Sequence, residues 1–163
     1  DMFEIIETDY TNPKHRTAIV KLLDEYARDL KSDGRGLSET VKATLVDELA
    51  LRNSIHTVLA FAGDEAAGLC VSIETFSTFA AKPVLNIHDL LVAPPFRGQR
   101  ISKLLLGKVE EIARELGCCK LTLEVLENND IALNLYDSTG FNAYRLDPKW
   151  GRALFLEKKI GLV

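Results

Sequence analysis

A chain of 163 residues is about one domain in length, and with 47% hydrophobic and 27% charged residues it can fill a core and cover it. A net charge of −4 argues against a general nucleic-acid surface, which needs a basic stripe. Arg97, Arg100, Lys103 and Lys108 still gather enough local charge for one anionic ligand, and no apolar run approaches the ~18 residues of a membrane span.

Phe3–Thr8 is a short strand candidate. Asn12-Pro13 then opens a helix, with Asn as cap and Pro in the first turn. Ala18, Ile19, Leu22, Leu23, Tyr26, Ala27 and Leu30 recur along it at helical spacing. Ser32 to Gly36 is a turn-rich break. Ser38 caps a second helix with Val41, Leu45 and Leu49 on its apolar stripe. The period then changes. Ile55–Phe61 and Ala66–Phe76 read as a hairpin around Gly63-Asp64. After a loop over Ser77–Pro83, Val84–Val92 reads as a third strand, ended by Pro94-Pro95 because proline donates nothing to a ladder. A helix from about Arg100 to Leu116 buries Ile101, Leu104, Leu105, Val109, Ile112, Ala113 and Leu116, and Gly117 closes it. Cys118–Leu126 is a strand, Asn129–Ser138 a short helix, and Phe141–Leu146 and Arg152–Lys158 are two late strands.

The expected order is therefore β-α-α-β-β-β-α-β-α-β-β, a mixed α/β (α+β) single domain over residues 1–163. The hairpin strands should pair antiparallel, and the strand–helix–strand unit from Val84 to Leu126 should form a parallel crossover. Three cysteines, Cys70, Cys118 and Cys119, show neither a C-x-x-C nor a metal spacing and are expected as core or half-buried thiols. Met2 is the expected natural start, no signal peptide is visible, and a cytoplasmic setting is the default.

The junction from Leu90 to Leu105 runs from a strand through a basic, glycine-containing turn into a helix. A helix N-terminus offers unpaired N–H groups and a positive dipole end, so such a turn binds phosphate. Gly98 removes a Cβ where chain and ligand approach closely. Neither G-x-x-x-x-G-K-[ST] nor G-x-G-x-x-G is present, which disfavours ATP, GTP and dinucleotides.

The chain resembles the GCN5-related N-acetyltransferases, the GNAT superfamily. The coenzyme A loop of that family, [Arg/Gln]-x-x-Gly-x-[Gly/Ala], is similar to Arg97-Gly98-Gln99-Arg100-Ile101-Ser102. Arg100 stands where the family usually has Gly, and Ser102 where it has Gly or Ala. A second family pattern, N-x-x-A-x-x-x-Y-x-x-x-G-F, is matched without a gap by Asn129, Ala132, Tyr136, Gly140 and Phe141.

The resemblance implies a mostly antiparallel sheet with a splayed parallel strand pair, flanked by helices, in an acyl-CoA acyltransferase fold. It implies acetyl-CoA as co-substrate and no metal. The pantetheine arm would lie against backbone near Leu90 and Val92, with the Val92 N–H as oxyanion donor. The loop residues Arg97 to Ser102 would hold phosphates, and Asn129 would bond the coenzyme or cap its helix. Tyr136 would protonate the leaving thiolate, since a phenol of ordinary pKa near ~10 arrives protonated.

Transfer to an amine also needs a proton acceptor. Strand alternation places Asn86, His88 and Leu90 on one face, making His88 the first candidate base, with Glu124 or water as alternatives. Asp89, on the other face, is expected to be structural, as are His56 in a strand and His15 at the surface. Phe76, Phe79, Tyr144 and Trp150 are candidates for an aromatic wall, and Asp29, Asp33 and Glu74 for contacts to a cationic amine.

The implied reaction is direct acetyl transfer within a ternary complex to a primary amine of a small molecule or peptide. No covalent acyl-enzyme is implied, since neither Cys118 nor Cys119 has an evident His partner. No nucleic acid and no membrane is expected as partner. The substitution at Arg100 leaves a non-catalytic acetyl-CoA sensor or partner-binding module as the alternative. The late strands allow a homodimer.

Overall fold

A computed structural model describes residues 2–29, 34–144 and 147–161. Leu30 of the first helical stripe, Asp33 among the amine contacts, and Arg145-Leu146 of the first late strand lie outside them. The described chain divides into two compact units, residues 1–125 and 126–163.

The first unit is built on a five-stranded sheet. Its strands are β1 (Glu4–Glu7), β2 (Ile55–Ala62), β3 (Glu65–Ser77), β4 (Lys82–Val92) and β5 (Leu121–Leu123), in spatial order β1-β2-β3-β4-β5. All neighbours pair antiparallel except β4 and β5, which are parallel. Its helices are α1 (Pro13–Asp29), α2 (Glu39–Ala50) and α3 (Ile101–Glu115). Asn12 caps α1 by accepting the Lys14 N–H at 2.9 Å, and Ser38 caps α2 by accepting from Val41 at 3.2 Å.

The helices divide between the two faces. Ala18, Ile19 and Leu22 of α1 and Val46 and Leu49 of α2 share a core with Leu59, Phe61, Leu69, Val71 and Leu91. The other face takes α3, whose Ile101, Leu105, Leu106 and Val109 are buried. Gly68 of β3 sets how closely α3 approaches. A Cβ there would stand 3.0 Å from both the Ile101 side chain and the Leu91 carbonyl, and 3.1 Å from Leu105. Gly68 also pairs with Val92, so the start of α3 is seated beside the end of β4.

The β3–β4 hairpin is longer than the sequence suggests. The expected loop over Ser77–Pro83 contracts to a turn, with Ser77 paired to Lys82. Farther along, the register steps from Val71 opposite Asp89 to Ser72 opposite Ile87, leaving His88 as an extra, unpaired residue. This bulge changes the alternation of β4. Asn86 pairs with Ile73 and Asp89 with Val71, whereas Leu90 pairs with Cys70. Asn86 therefore shares a face with Asp89, not with Leu90, and the expected common face of Asn86, His88 and Leu90 does not form.

The second unit holds α4 (Asp130–Ser138) and a short 3-10 turn over Pro148–Trp150. Neither late strand is formed in its described part: 141–144 and 151–160 carry no ladder. Leu154, Phe155 and Leu156 are 79–84% exposed. Apolar and aromatic residues favour extension, but a strand also needs a hydrogen-bonded neighbour, and propensity does not supply one.

Candidate active site

The pairing of β4 with β5 covers three residues, Leu85 to Ile87 against Leu121 to Leu123. Beyond Ile87 the outer edge of β4 has no ladder partner among the described residues. The Ala93 N–H donates to Ala67 of β3 at 2.8 Å. Alternation then turns Leu91 toward β3 and the N–H groups of Leu90 and Val92 outward, to the open edge. The parallel pair thus parts where the bulge begins, with two N–H groups exposed along the opening.

The chain leaves β4 through a 3-10 turn at Pro94–Phe96 and reaches α3 through Arg97 to Arg100. Two residues of this loop are left-handed, Gly98 at φ 78° and Arg100 at φ 67°. At Gly98 nothing lies within 4 Å of an added Cβ, so its torsion, not packing against protein, calls for glycine. Arg100 adopts the same region at a cost of roughly 1 kcal/mol, at the family's glycine position. It is the N-cap residue of α3 and makes no side-chain cap. The N–H groups from Gly98 to Lys103 meet no acceptor among the described residues. Gln99 and Arg100 are exposed, Ser102 is half-buried in the first turn, and Ile101 is buried and anchors the helix. This is an uncapped helix start with six backbone N–H groups left without acceptors among the described residues, suited to a phosphate.

Arg97 departs from its expected place. Its Nε donates to the Val92 carbonyl at 3.3 Å, and its Nη2 meets Asp29 Oδ2 at 3.2 Å. Its charge is turned toward the end of α1. There Leu22, Glu25, Tyr26, Asp29, Leu91, Val92 and Arg97 line a small cleft.

Asp89 shares the α1 face. It is half-buried, without a hydrogen bond or ion pair to any described residue. Burial raises its pKa, and the neighbouring His88 opposes that shift. Its charge in turn adds to burial in raising the pKa of Tyr26 on α1. Asp89 keeps the face opposite Leu90 that strand alternation gives it, a face it shares with Leu91 of the core, and the bulge brings Asn86 onto that face as well.

His88 is exposed at the bulge, and Glu124 is exposed just past the last paired residue of β5. Glu74 stands 3.8 Å from the His56 Nε2, an environment separate from the cleft. His15, expected at the surface, is buried: its Nδ1 accepts the Asp9 N–H at 2.9 Å, and its ring stacks on Phe61. The buried Cys70 thiol is pushed up to about 12, first by burial, so it is no nucleophile. Phe76 and Phe79 are exposed at the β3–β4 turn, and Tyr144 and Trp150 are exposed in the second unit.

In the second unit, Asn129 caps α4, its Oδ1 accepting the Ala132 N–H at 3.2 Å. Tyr136 is half-buried on α4, its ring edge-on to Phe141 at 5.6 Å between centroids. Gly140, at φ 93°, follows the helix, and the Phe141 N–H returns to the Tyr136 carbonyl at 2.9 Å. Local backbone thus fixes the tyrosine within its own unit.

A parallel pair that parts beside an uncapped helix start is the scaffold of an acyl-coenzyme A transferase. The chain belongs to the acetyltransferase (GNAT) family, whose pattern matches residues 16–141. As a member it is an acetyl-CoA-dependent N-acetyltransferase. It is similar to the thialysine N-epsilon-acetyltransferase of Caenorhabditis elegans, 28% identical over 141 residues covering 85% of this chain and 82% of the relative. L-ornithine N5-acetyltransferase NATA1 of Arabidopsis thaliana is 30% identical over 99 residues, 59% of this chain and 43% of that one. The solved structure of AAC(6')-Iy in complex with the bisubstrate analogue CoA-S-monomethyl-acetylneamine superposes with a TM-score of 0.75 at 17% identity. It covers 98% of this chain and 100% of that one, a likeness of fold.

Proposed function

We propose that this enzyme acetylates the amine of a small molecule that carries a second positive charge. The observation that carries this reading is the cleft beside Val92, lined by Glu25 and Asp29. Asp89, half-buried on the same face of the sheet, adds a third carboxylate next to Tyr26. Asp29 is paired with Arg97 in this cleft, so Glu25 and Asp89 supply the unbalanced negative charge, which favours a cation over a neutral or anionic acceptor. The names of the thialysine and ornithine acetyltransferases support the same class of acceptor.

The reaction is direct transfer in a ternary complex. Acetyl-CoA lies along the open edge, its phosphates at the N–H groups of Gly98 to Lys103 and its pantetheine arm at Leu90 and Val92. The amine lone pair attacks the thioester carbon, and the Val92 N–H donates to the oxygen as it becomes negative. The C–S bond then breaks and Tyr136 protonates the thiolate. The amine loses its proton to His88, Glu124 or water, and Asp89 stabilises the cationic acceptor before that proton leaves. Asn129 keeps α4 capped.

Free-thiol release from acetyl-CoA tests this reading with diamines and basic amino acids against monoamines of matched length. The expected result is a kcat/KM at least ~10-fold higher for the doubly charged acceptors, the size of one favourable charge contact. Equal rates for both groups, or release only with neutral amines, would overturn the acceptor assignment.

A further inference from the structure

Arg97 occupies the first position of the loop, where a side chain aimed at phosphate would be expected, yet both of its contacts are with protein groups, at the end of β4 and the end of α1. Nε reaches the carbonyl of Val92, at 3.3 Å, and Nη2 reaches the carboxylate of Asp29, at 3.2 Å. Two features produce these contacts. Pro94-Pro95 fold the chain into a 3-10 turn, and the Arg97 N–H closes it on the Pro94 carbonyl at 3.3 Å. Arg97 itself is extended, at φ −66° and ψ 150°, which carries its side chain back over the end of β4. Asp29 is the last residue of α1, the helix that brings Glu25 and Tyr26 to the cleft.

We propose that Asp29 and Arg97 are a pair of positioning residues. Together they tie the wall of the acceptor cleft to the backbone at Val92, and neither contacts the coenzyme phosphates. The proposal rests on the acetyl-transfer reading above. The planar fork of arginine suits it to two simultaneous contacts in fixed directions, which a lysine ammonium cannot reproduce. Fixing the Val92 carbonyl fixes the end of β4, and with it the direction of the adjacent Val92 N–H at the reacting thioester. On the other side, the Asp29 carboxylate fixes the end of α1.

The two partners are 56% and 59% exposed. An exposed ion pair adds little to stability, whereas a small misplacement of reacting groups lowers a rate strongly. The expected signature therefore separates rate from folding. Asp29→Asn and Arg97→Gln each lower kcat by about 10-fold, with the KM for acetyl-CoA within about 2-fold of wild type and little change in Tm. The double variant is no slower than the slower single, because either change alone breaks the tie. Arg97→Lys recovers part of the loss at most.

The experiment is a steady-state double-mutant cycle on the full chain, with acetyl-CoA and the amine varied separately and Tm recorded alongside. If Arg97→Gln raises the KM for acetyl-CoA while Asp29→Asn is silent, Arg97 serves the phosphates and the proposal fails. Additive losses would make Asp29 a separate contact to the amine and also overturn it. Singles that match an active wild type overturn the positioning role alone. A wild type that releases no thiol with any amine overturns the acetyl-transfer reading itself, and the positioning role with it.

Discussion

The loop proposed to hold coenzyme A and the tyrosine helix present opposite relations between letters and structure. The loop departs from its family pattern at Arg100 and Ser102, yet its backbone forms an uncapped helix start whose N–H groups from Gly98 to Lys103 meet no acceptor among the described residues. The tyrosine helix matches its pattern at every position from Asn129 to Phe141, yet it belongs to a unit whose described residues form no strand at all. A site made of backbone tolerates substitution as long as the torsions are kept, and Arg100 keeps them at φ 67°. A site made of one hydroxyl does not.

The largest expected effect tests that contrast on the side-chain half. Tyr136→Phe should lower kcat by about 100-fold while acetyl-CoA still binds, within the range for loss of a general acid. A kcat near that of wild type would remove the tyrosine from the mechanism and leave the leaving-group proton to water.

Asp89 comes next. Its raised pKa means that the folded protein holds the proton more tightly than the unfolded chain does. Stability from this group is therefore lost as pH rises from the unfolded carboxylate value through the folded one, and the cost is complete above both. Asp89→Asn should accordingly raise Tm at neutral pH and flatten its fall over that window. Acetylation of a doubly charged amine should drop by about 10-fold in kcat/KM, the value of one charge contact. A stabilised and fully active variant would make Asp89 a bystander.

Smaller effects sharpen the backbone half. Gly68→Ala pushes a methyl against Ile101, Leu105 and the Leu91 carbonyl. It should cost about 1–3 kcal/mol in denaturant unfolding, the usual range for overpacking. Arg100→Gly removes the left-handed strain at the start of α3. It should stabilise by about 1 kcal/mol or less, because glycine also gains freedom in the unfolded chain. Acetyl-CoA binding should be maintained or improved. A loss of affinity greater than about 10-fold would show that the arginine side chain, and not the backbone, holds the phosphates.

Most of the sheet was legible in the sequence because its signals are local. Asn12-Pro13 and Ser38 mark helix starts, Gly63-Asp64 marks a hairpin, Pro94-Pro95 ends β4, and alternation marks the strands between. The bulge at His88 was not legible. Ile87 to Leu90 favour extension in either register, and only pairing with β3 decides which residue is extra. Alternation alone puts Asp89 opposite Leu90, but that α1 packs on that side with Tyr26 near the carboxylate was not legible. Burial of His15 was hidden for a related reason. Its partner ring, Phe61, lies 46 positions away in sequence, and the helix pattern around it looks like a surface. The placement of Arg97 depends on Asp29, 68 positions distant, and no spacing in the loop announces it.

Backbone binding of coenzyme A, by the loop and by the open edge of β4, is open to direct measurement. Titration of the full chain with coenzyme A while the backbone amide resonances are followed tests it most directly. The largest shifts are expected at Gly98, Gln99, Arg100, Ile101, Ser102 and Lys103, followed by Leu90 and Val92. Shifts concentrated elsewhere in the chain, or none at saturating coenzyme, would contradict it.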